Sequence, residues 1–600
     1  FIKTKGQLNS PIKMAYLTVV EQQLSAYVSH INQLFTTTPS SLIFVYNSVF
    51  EWIYSLRLLY YLVQQLSSNG YDFLAQVYDL TKFGDLRIKS LSTDIVQTIG
   101  RPYYEIFEHW IIRGELIDES NEYFIRFEKT NNFNDIIKYD PEKVPIFLPQ
   151  SLGTKIYQIG KMLIFLGKYC KELRWIENYS NKYSNIIYRL NNGTQSMSIN
   201  EISQLINLQY DELLKHLTTI IHGKPNELIQ HLENFKKFYF MENNDFFETV
   251  ISSGQELFNE SSTNISSNQL SKLLSDSIAF TSSKNNPYNF RLDARVLDPI
   301  HGNLGWDVFT IEYRIDDLPI QYLMHSQMMQ YLKMFNFLWK VKQLHFLLHQ
   351  NFQVANNIRK VELHQVQKTW VKNKWSGEKS ARFKKIRWVV KSFNTISIIR
   401  FQLNNFINAL TKHLSFDVIE SNYQTNILGK FYKSINQEPE LANINPEFIK
   451  QLTTHSDTFE STEVTPQNIK ELTIDELIHI HETYLSSITK SKIFSDVDEG
   501  KFTGLTYSSQ VFSLLELVFQ FIKSSEEYYH LIINYMLVLN IDEQAMDMDQ
   551  DIVLLERSLN TIFKKIHNEI YQSNFQYQLN QFVKDMRGDF ELREVSKIFS

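Results

Sequence analysis

The stretch that decides the fold runs from Gly305 to Trp339, GWDVFTIEYRIDDLPIQYLMHSQMMQYLKMFNFLW. Its first part reads as an extended or irregular lead-in. Pro319 suits the first turn of a helix and is poor further inside one, so a helix is expected from there. Leu323, Met334, Leu338, Val341, His345 and Leu348 then recur at three- and four-residue intervals along one face. That face must pack on something, and Phe335, Leu338 and Trp339 read as core. The stretch carries no catalytic constellation.

Composition agrees with long helices. In 600 residues there are 18 glycines and 13 prolines, about half the usual share of roughly 7% and 5%. The length exceeds one ordinary core, so two or more domains or an array of helix bundles is expected. A net charge of -6 argues against a nucleic-acid binder. Cys170 is the only cysteine, which excludes an intrachain disulfide and fits a reducing cytoplasm or nucleus. The apolar stretches Ile156 to Cys170 and Leu531 to Ile541 fall short of the ~18 residues of a spanning helix, so no membrane segment is expected. The chain opens Phe1-Ile2-Lys3, which implies an amino-terminal portion that precedes it.

From Lys13 to about His222 the pattern reads as helical throughout, with short polar turns that favour antiparallel pairs. Trp110 lies near the end of a helix that stops at Arg113, and Gly114 stands where a left-handed cap is required. Gly223-Lys224-Pro225 breaks the pattern and sets a boundary between domains 1–222 and 223–600. Asn243-Asn244 reads as a left-handed turn. Ser252 to Asn286, rich in serine and asparagine, reads partly as flexible loop, with a short helix around Leu270, Leu273 and Leu274.

No site for chemistry emerges. Gly153, Gly160 and Lys161 lack the spacing and hydroxyl of a phosphate loop. His345 and His349 stand one turn apart without a third ligand. Asp547, Asp549 and Asp551 imitate a calcium loop, but Ile552 replaces its glycine and Ser558 its final glutamate. No enzyme, cofactor or metal is expected. The strongest electrostatic signal is Lys368 to Lys391, with nine basic residues against Glu378 and three tryptophans, Trp370, Trp375 and Trp388. It reads as a solvated face or a contact for an acidic protein.

Two blocks carry a family resemblance. One is Trp306 to Phe309, Tyr313 to Asp316, Pro319 and Tyr331 to Trp339. The other is Gly84-Asp85, Pro102 to Glu105, Trp110-Ile111, Gly114 to Asp118 and Glu122 to Ile125. Both resemble the gamma-tubulin complex components, most nearly their third-component branch. Asp475 to Leu477, His481 and Tyr484-Leu485 also resemble a family helix. Arg587-Gly588-Asp589-Phe590 departs from the family's usual ending at Gly588.

The resemblance implies an all-α, elongated array of helix bundles in two domains. It implies a non-catalytic scaffold that binds gamma-tubulin through its carboxy-terminal domain, contacts neighbouring components through its amino-terminal domain, and templates microtubule nucleation at the spindle pole body. Expected partners are gamma-tubulin, the second component, a spindle-pole receptor or activator reached through the preceding amino terminus, and indirectly the microtubule minus end. The alternatives are a helical-rod tether for vesicle docking and the second component itself.

Residues assigned to gamma-tubulin are Phe309, Tyr313, Arg314, Asp316, Asp317 and Tyr322, since apolar anchors among charges suit an interface. Lys384, Lys385 and Arg387 support them. Glu115, Glu119, Glu122 and Phe124 are assigned to lateral assembly, with Glu119 and Glu122 expected to be exposed.

Overall fold

Low glycine and proline content leaves the backbone free to run long helices, and side-chain caps mark where several of them start. The computed structural model describes residues 10–36, 41–67, 69–128, 137–145, 148–191, 199–224, 226–297, 304–364, 379–432, 470–495, 500–541, 549–590 and 592–599. The chain is all-α, with two small antiparallel strand pairs among the described residues.

Two compact units form. The first holds Phe1–Leu228, Asp317–Leu323 and Lys433–Leu477; the second holds Ile229–Asp316, Met324–Tyr432 and Ile478–Ser600.

In the first unit the helices are α1 (Pro11–Thr36), α2 (Leu42–Gln64), α3 (Gly70–Leu80), α4 (Leu86–Arg113), α5 (Gln150–Lys168), α6 (Leu173–Asn191) and α7 (Ile199–His222). Helix α4 is central, packing on α1, α3, α5 and α6. Ser41 caps α2 by accepting from the Phe44 N–H, and Asp85 caps α4 by accepting from the Arg87 N–H. At its other end α4 stops as the sequence requires: Gly114 has φ 69° and donates its N–H to the Trp110 carbonyl. Buried Tyr16 packs edge-on against Phe73 and donates its hydroxyl to the Leu59 carbonyl at 2.7 Å.

Two expectations change here. The helical pattern is interrupted by a strand pair, β1 (Ile125–Phe127) with β2 (Ile137–Tyr139) in the register Ile125 opposite Tyr139. Three-residue strands are too short to show a two-residue period. Helix α2 is, among the described residues, the one helix long and apolar enough to cross a membrane, and most of it lies at the surface. Four tyrosines and a tryptophan in α2 hide that character from an eye searching for aliphatic runs. The acidic triplet Asp547, Asp549 and Asp551, and Pro225, fall at positions where side chain or backbone is outside the described residues.

In the second unit α8 (Leu228–Tyr239) leads to α9 (Asn244–Asn259) and α10 (Ser267–Phe280). The serine-rich stretch, expected to be partly loop around a short helix, is mostly helix. Ser266 and Gln269 form a capping box that starts α10, and Leu270, Leu273 and Leu274 are buried beneath it. Before α9 the left-handed residue is Met241, at φ 56°, while Asn243 at φ −78° accepts from the Phe246 N–H as an N-cap. Capping, the commoner use of asparagine, displaced the expected turn.

A strand pair follows, β3 (Leu292–Val296) with β4 (Phe309–Tyr313), Leu292 opposite Tyr313. A single helical turn, α11 (Gly305–Val308), precedes β4. Pro319 sits in the first turn of α12 (Leu318–Met324), but a tighter turn at His325–Gln327 separates it from α13 (Met328–Ile358), so the expected single helix is two.

Helices α14 (Lys379–Lys412), α15 (Ile474–Thr489), α16 (Tyr507–Ile541), α17 (Asp549–Lys564) and α18 (Tyr577–Gly588) complete the chain before a last turn, Ser596–Phe599. Helices α14 and α17 continue as wide π-helical turns at His413–Glu420 and Lys565–Gln576. Helix α13 packs on α14 and α16, and α16 on α17.

Candidate interaction surfaces

The lead-in to α13 is built on tryptophan packing. Trp306 and Trp339 lie 5.4 Å apart between ring centroids, and Phe309 lies 4.8 Å from Trp339. The Trp339 indole donates to the Trp306 carbonyl at 3.0 Å, and the Trp306 indole to the Asn259 side chain at 3.2 Å. Gly305 allows this closeness, since a Cβ there would stand 2.7 Å from the Leu257 carbonyl oxygen.

Burial sorts the residues assigned to gamma-tubulin. Phe309 and Tyr313 are core residues, 1% and 3% exposed. The Tyr313 hydroxyl lies 2.9 Å from His231 Nδ1, and its N–H donates to the Tyr239 hydroxyl. Glu312, Arg314 and Asp316 are exposed. Arg314 pairs across the hairpin with Asp293, which also accepts from the Ser271 hydroxyl. Tyr322, grouped with the first unit, is buried 4.6 Å from Tyr169 and 5.4 Å from Phe165, and Asp317 beside it is half-buried. The strand thus presents a charged outer face over aromatic residues that hold it in place.

Of the basic stretch, Arg387 and Lys391 are exposed, and Trp388 packs edge-on against Phe563. Lys384 and Lys385 lie on α14 with side chains outside the described residues, as are Trp370 and Trp375 altogether.

The turn after α4 divides in the same manner. Glu115 and Glu119 are exposed, whereas Phe124 is 1% exposed and Glu122 is half-buried. The expectation of an exposed Glu122 is corrected, because its carboxylate accepts from the Ser10 hydroxyl at 2.7 Å and abuts the start of α3 at Gly70. Burial pushes its pKa up, against the Ser10 hydroxyl, Lys13 and the Gly70 N–H, which favour the ionised form.

Sequence reading missed other elements. Lys161, weighed only as a failed phosphate loop, is 7% exposed and pairs with Asp475. His481 is buried with its Nε2 2.8 Å from the Tyr331 hydroxyl, and burial holds its pKa down to about 3. At the carboxy-terminal end, buried Asp585 accepts from the Phe502 N–H, the Thr503 hydroxyl and the Gln510 amide, and Asp589 pairs with Lys492 at 2.7 Å. Phe590 is exposed. Helix α2 exposes Leu42, Ile43, Phe44, Tyr46, Tyr60 and Tyr61, an apolar surface of the kind that marks an interaction site.

Two family models match in succession. Gamma tubulin complex component N-terminal covers residues 1–224, and Gamma tubulin complex component C-terminal covers residues 228–596. The chain is 28% identical to Spindle pole body component SPC98 of Saccharomyces cerevisiae, over 98% of this chain and 71% of that protein. It is 29% identical to Spindle pole body component alp6 of Schizosaccharomyces pombe, over 57% of this chain and 39% of that protein. It is 22% identical to Gamma-tubulin complex component 3 of Drosophila melanogaster, over 59% and 37%.

Proposed function

The chain belongs to the gamma-tubulin complex component family, and from that membership we propose that it binds gamma-tubulin and assembles laterally, with the second component, into a ring that templates microtubules. It is a structural component rather than an enzyme. The observation that carries the reading is the unbroken succession of the two family models along the chain. The same succession leaves no ground for the vesicle-tether alternative.

In this reading residues 223 onward hold gamma-tubulin and residues 1 to 222 make lateral contacts. The exposed charges of the β4 strand and its continuation, Glu312, Arg314 and Asp316, meet gamma-tubulin. Phe309, Tyr313 and Tyr322 act from beneath by fixing the segment, and Asp317, Lys384, Lys385 and Arg387 add charge. Glu115 and Glu119 face a neighbouring component, and the exposed apolar face of α2 is consistent with a partner covering that part of the chain. The work is geometric. Holding several gamma-tubulins side by side removes from alpha/beta-tubulin the entropic cost of the first lateral contacts.

The names of the two yeast relatives support a place at the spindle pole body, and we infer that the chain works in the cytoplasm and nucleus. A spindle-pole receptor or activator protein would set that place. Co-expression of the full chain with gamma-tubulin tests the reading: stoichiometric co-elution is expected, and separate elution at micromolar concentration would overturn it.

A further inference from the structure

Helices α13 and α14 enclose a cavity of about 440 Å³ whose lining includes Arg359, Phe352, Arg400 and Phe401. Arg400 is 6% exposed. Its Nη1 donates to the Tyr529 hydroxyl at 2.8 Å and to the Asn351 side-chain oxygen at 3.3 Å, and its guanidinium lies 5.3 Å from the Phe352 ring centroid. Each of these partners is neutral. Among the described residues no carboxylate pairs with Arg400, and no aspartate or glutamate lines the cavity.

A buried guanidinium is costly to keep without a counter-charge, since removing an ion from water is repaid only by close opposite charge and full hydrogen bonding. Burial lowers the Arg400 pKa from its ordinary value, with Tyr529 opposing. Both of its hydrogen bonds use one nitrogen, and a guanidinium carries five N–H donors in a planar fork. Arg359 adds a second, exposed positive charge, and Phe352 and Phe401 are exposed beside it.

We propose that this cavity is a docking site for a carboxylate carried on an acidic, partly apolar segment of a partner protein. The carboxylate pairs with Arg400 and Arg359, and apolar neighbours in the segment rest on Phe352 and Phe401. The planar fork matches a carboxylate with two parallel bonds. The aromatic rim suits a peptide better than a free phosphate, which gains nothing from apolar walls. No residue of the β4 strand lines this cavity, and the proposal does not rest on the gamma-tubulin reading.

The test uses the full chain and a phage-displayed library of random peptides. Enriched sequences are expected to carry aspartate or glutamate next to a leucine or phenylalanine. A synthetic peptide of the leading sequence should bind about tenfold more weakly when its carboxylates become amides, the loss of one charge-assisted contact.

Arg359→Glu and Phe401→Ala, both at exposed positions, should weaken it several-fold while the melting temperature holds, and Arg359→Lys should restore part of the loss. Arg400→Gln should abolish binding if it folds, and the two surface variants decide the matter if it does not. No enrichment, enrichment without carboxylates, or binding indifferent to Arg359→Glu would overturn the proposal. So would displacement of the peptide by inorganic phosphate more readily than by free glutamate, which would mark a small-anion site.

Discussion

Trp110 lies against Gly160 so closely that a Cβ at position 160 would stand 2.0 Å from the indole ring. The same indole donates to the Ile156 carbonyl at 2.8 Å, so the ring is fixed both by contact and by a hydrogen bond. Gly160→Ala therefore has no rotamer to escape into, and its methyl group must push α4 and α5 apart. Overpacking of this kind costs about 1–3 kcal/mol. A thermal or denaturant melt of the full chain is expected to show it, whereas Gly84→Ala, with open space around its Cβ, should leave that melt nearly unchanged.

The ion pair between Lys161 and Asp475 predicts an asymmetry between its two ends. The Lys161 side chain is 8% exposed and the Asp475 side chain 42%. Asp475→Asn leaves a buried ammonium without its counter-charge and is expected to cost about 1–3 kcal/mol, below the fully buried case because water reaches the carboxylate. Lys161→Met removes the buried charge itself and leaves an acid that water can serve. Comparative melting of the two variants should place Asp475→Asn lower.

Acid should destabilise the chain through its buried histidines. His481 is neutral in the fold with a pKa of about 3, and His216 and His222 are held down to about 4 by burial. Unfolded, each protonates near pH 6.5. Between these values the unfolded state binds more protons, so the stability is complete above pH 6.5 and is lost as pH falls toward 3 to 4. At pH 5 each histidine is expected to withdraw about 2 kcal/mol. Denaturant titrations at pH 7 and pH 5 check this, and His481→Gln should shrink the difference.

Charge reversal at the β4 strand separates binding from folding. The Arg314–Asp293 pair joins an exposed arginine to a half-buried aspartate, with an expected worth to the fold of about 1 kcal/mol. Arg314→Glu with Asp316→Lys should leave the melt almost unmoved and weaken gamma-tubulin binding at least several-fold, mostly through faster dissociation. Neutralising Lys384, Lys385 and Arg387 should instead slow association and flatten its salt dependence. Binding kinetics over a salt series distinguish the two, and unchanged constants in both variants would leave these segments structural.

On the turn after α4, reversing Glu115 and Glu119 is expected to reduce ring assembly, measured by electron microscopy, while the small complex with gamma-tubulin persists. Glu122→Lys behaves differently, because that carboxylate accepts from Ser10 and meets the start of α3. It should lower the melting temperature before any assembly defect is read.

What was legible in the sequence followed from local rules. The end of α4 at Arg113 and the left-handed Gly114 could be read because a cap needs only a few adjacent residues. The core roles of Phe335, Leu338 and Trp339 followed from helical spacing. Of the charges read as an interface rim, Arg314 and Asp316 are exposed and Asp317 is half-buried, while the strand aromatics Phe309 and Tyr313, taken for partner anchors, are buried. Strand alternation sends them to the opposite face. Positions decided by distant partners stayed hidden: Glu122 by Ser10, Arg400 by Tyr529, Lys161 by Asp475. Met241 holds the left-handed turn, and Asn243, two residues on, serves as a cap.

The separation of Lys161 from Asp475 by 314 positions bears on how the chain is made. At a ribosomal rate of about 5–20 residues per second, roughly half a minute passes between the emergence of the lysine and of its counter-ion. Throughout that interval the amino-terminal helices are synthesised and able to collapse, but one of their interior positions holds an ammonium group with nothing opposite it. The first half of the nascent chain is thus expected to linger in a loosened form that chaperones can engage, and to tighten only when Asp475 arrives. Ribosome-bound chains stalled before and after position 475 should differ sharply in protease resistance between residues 150 and 168.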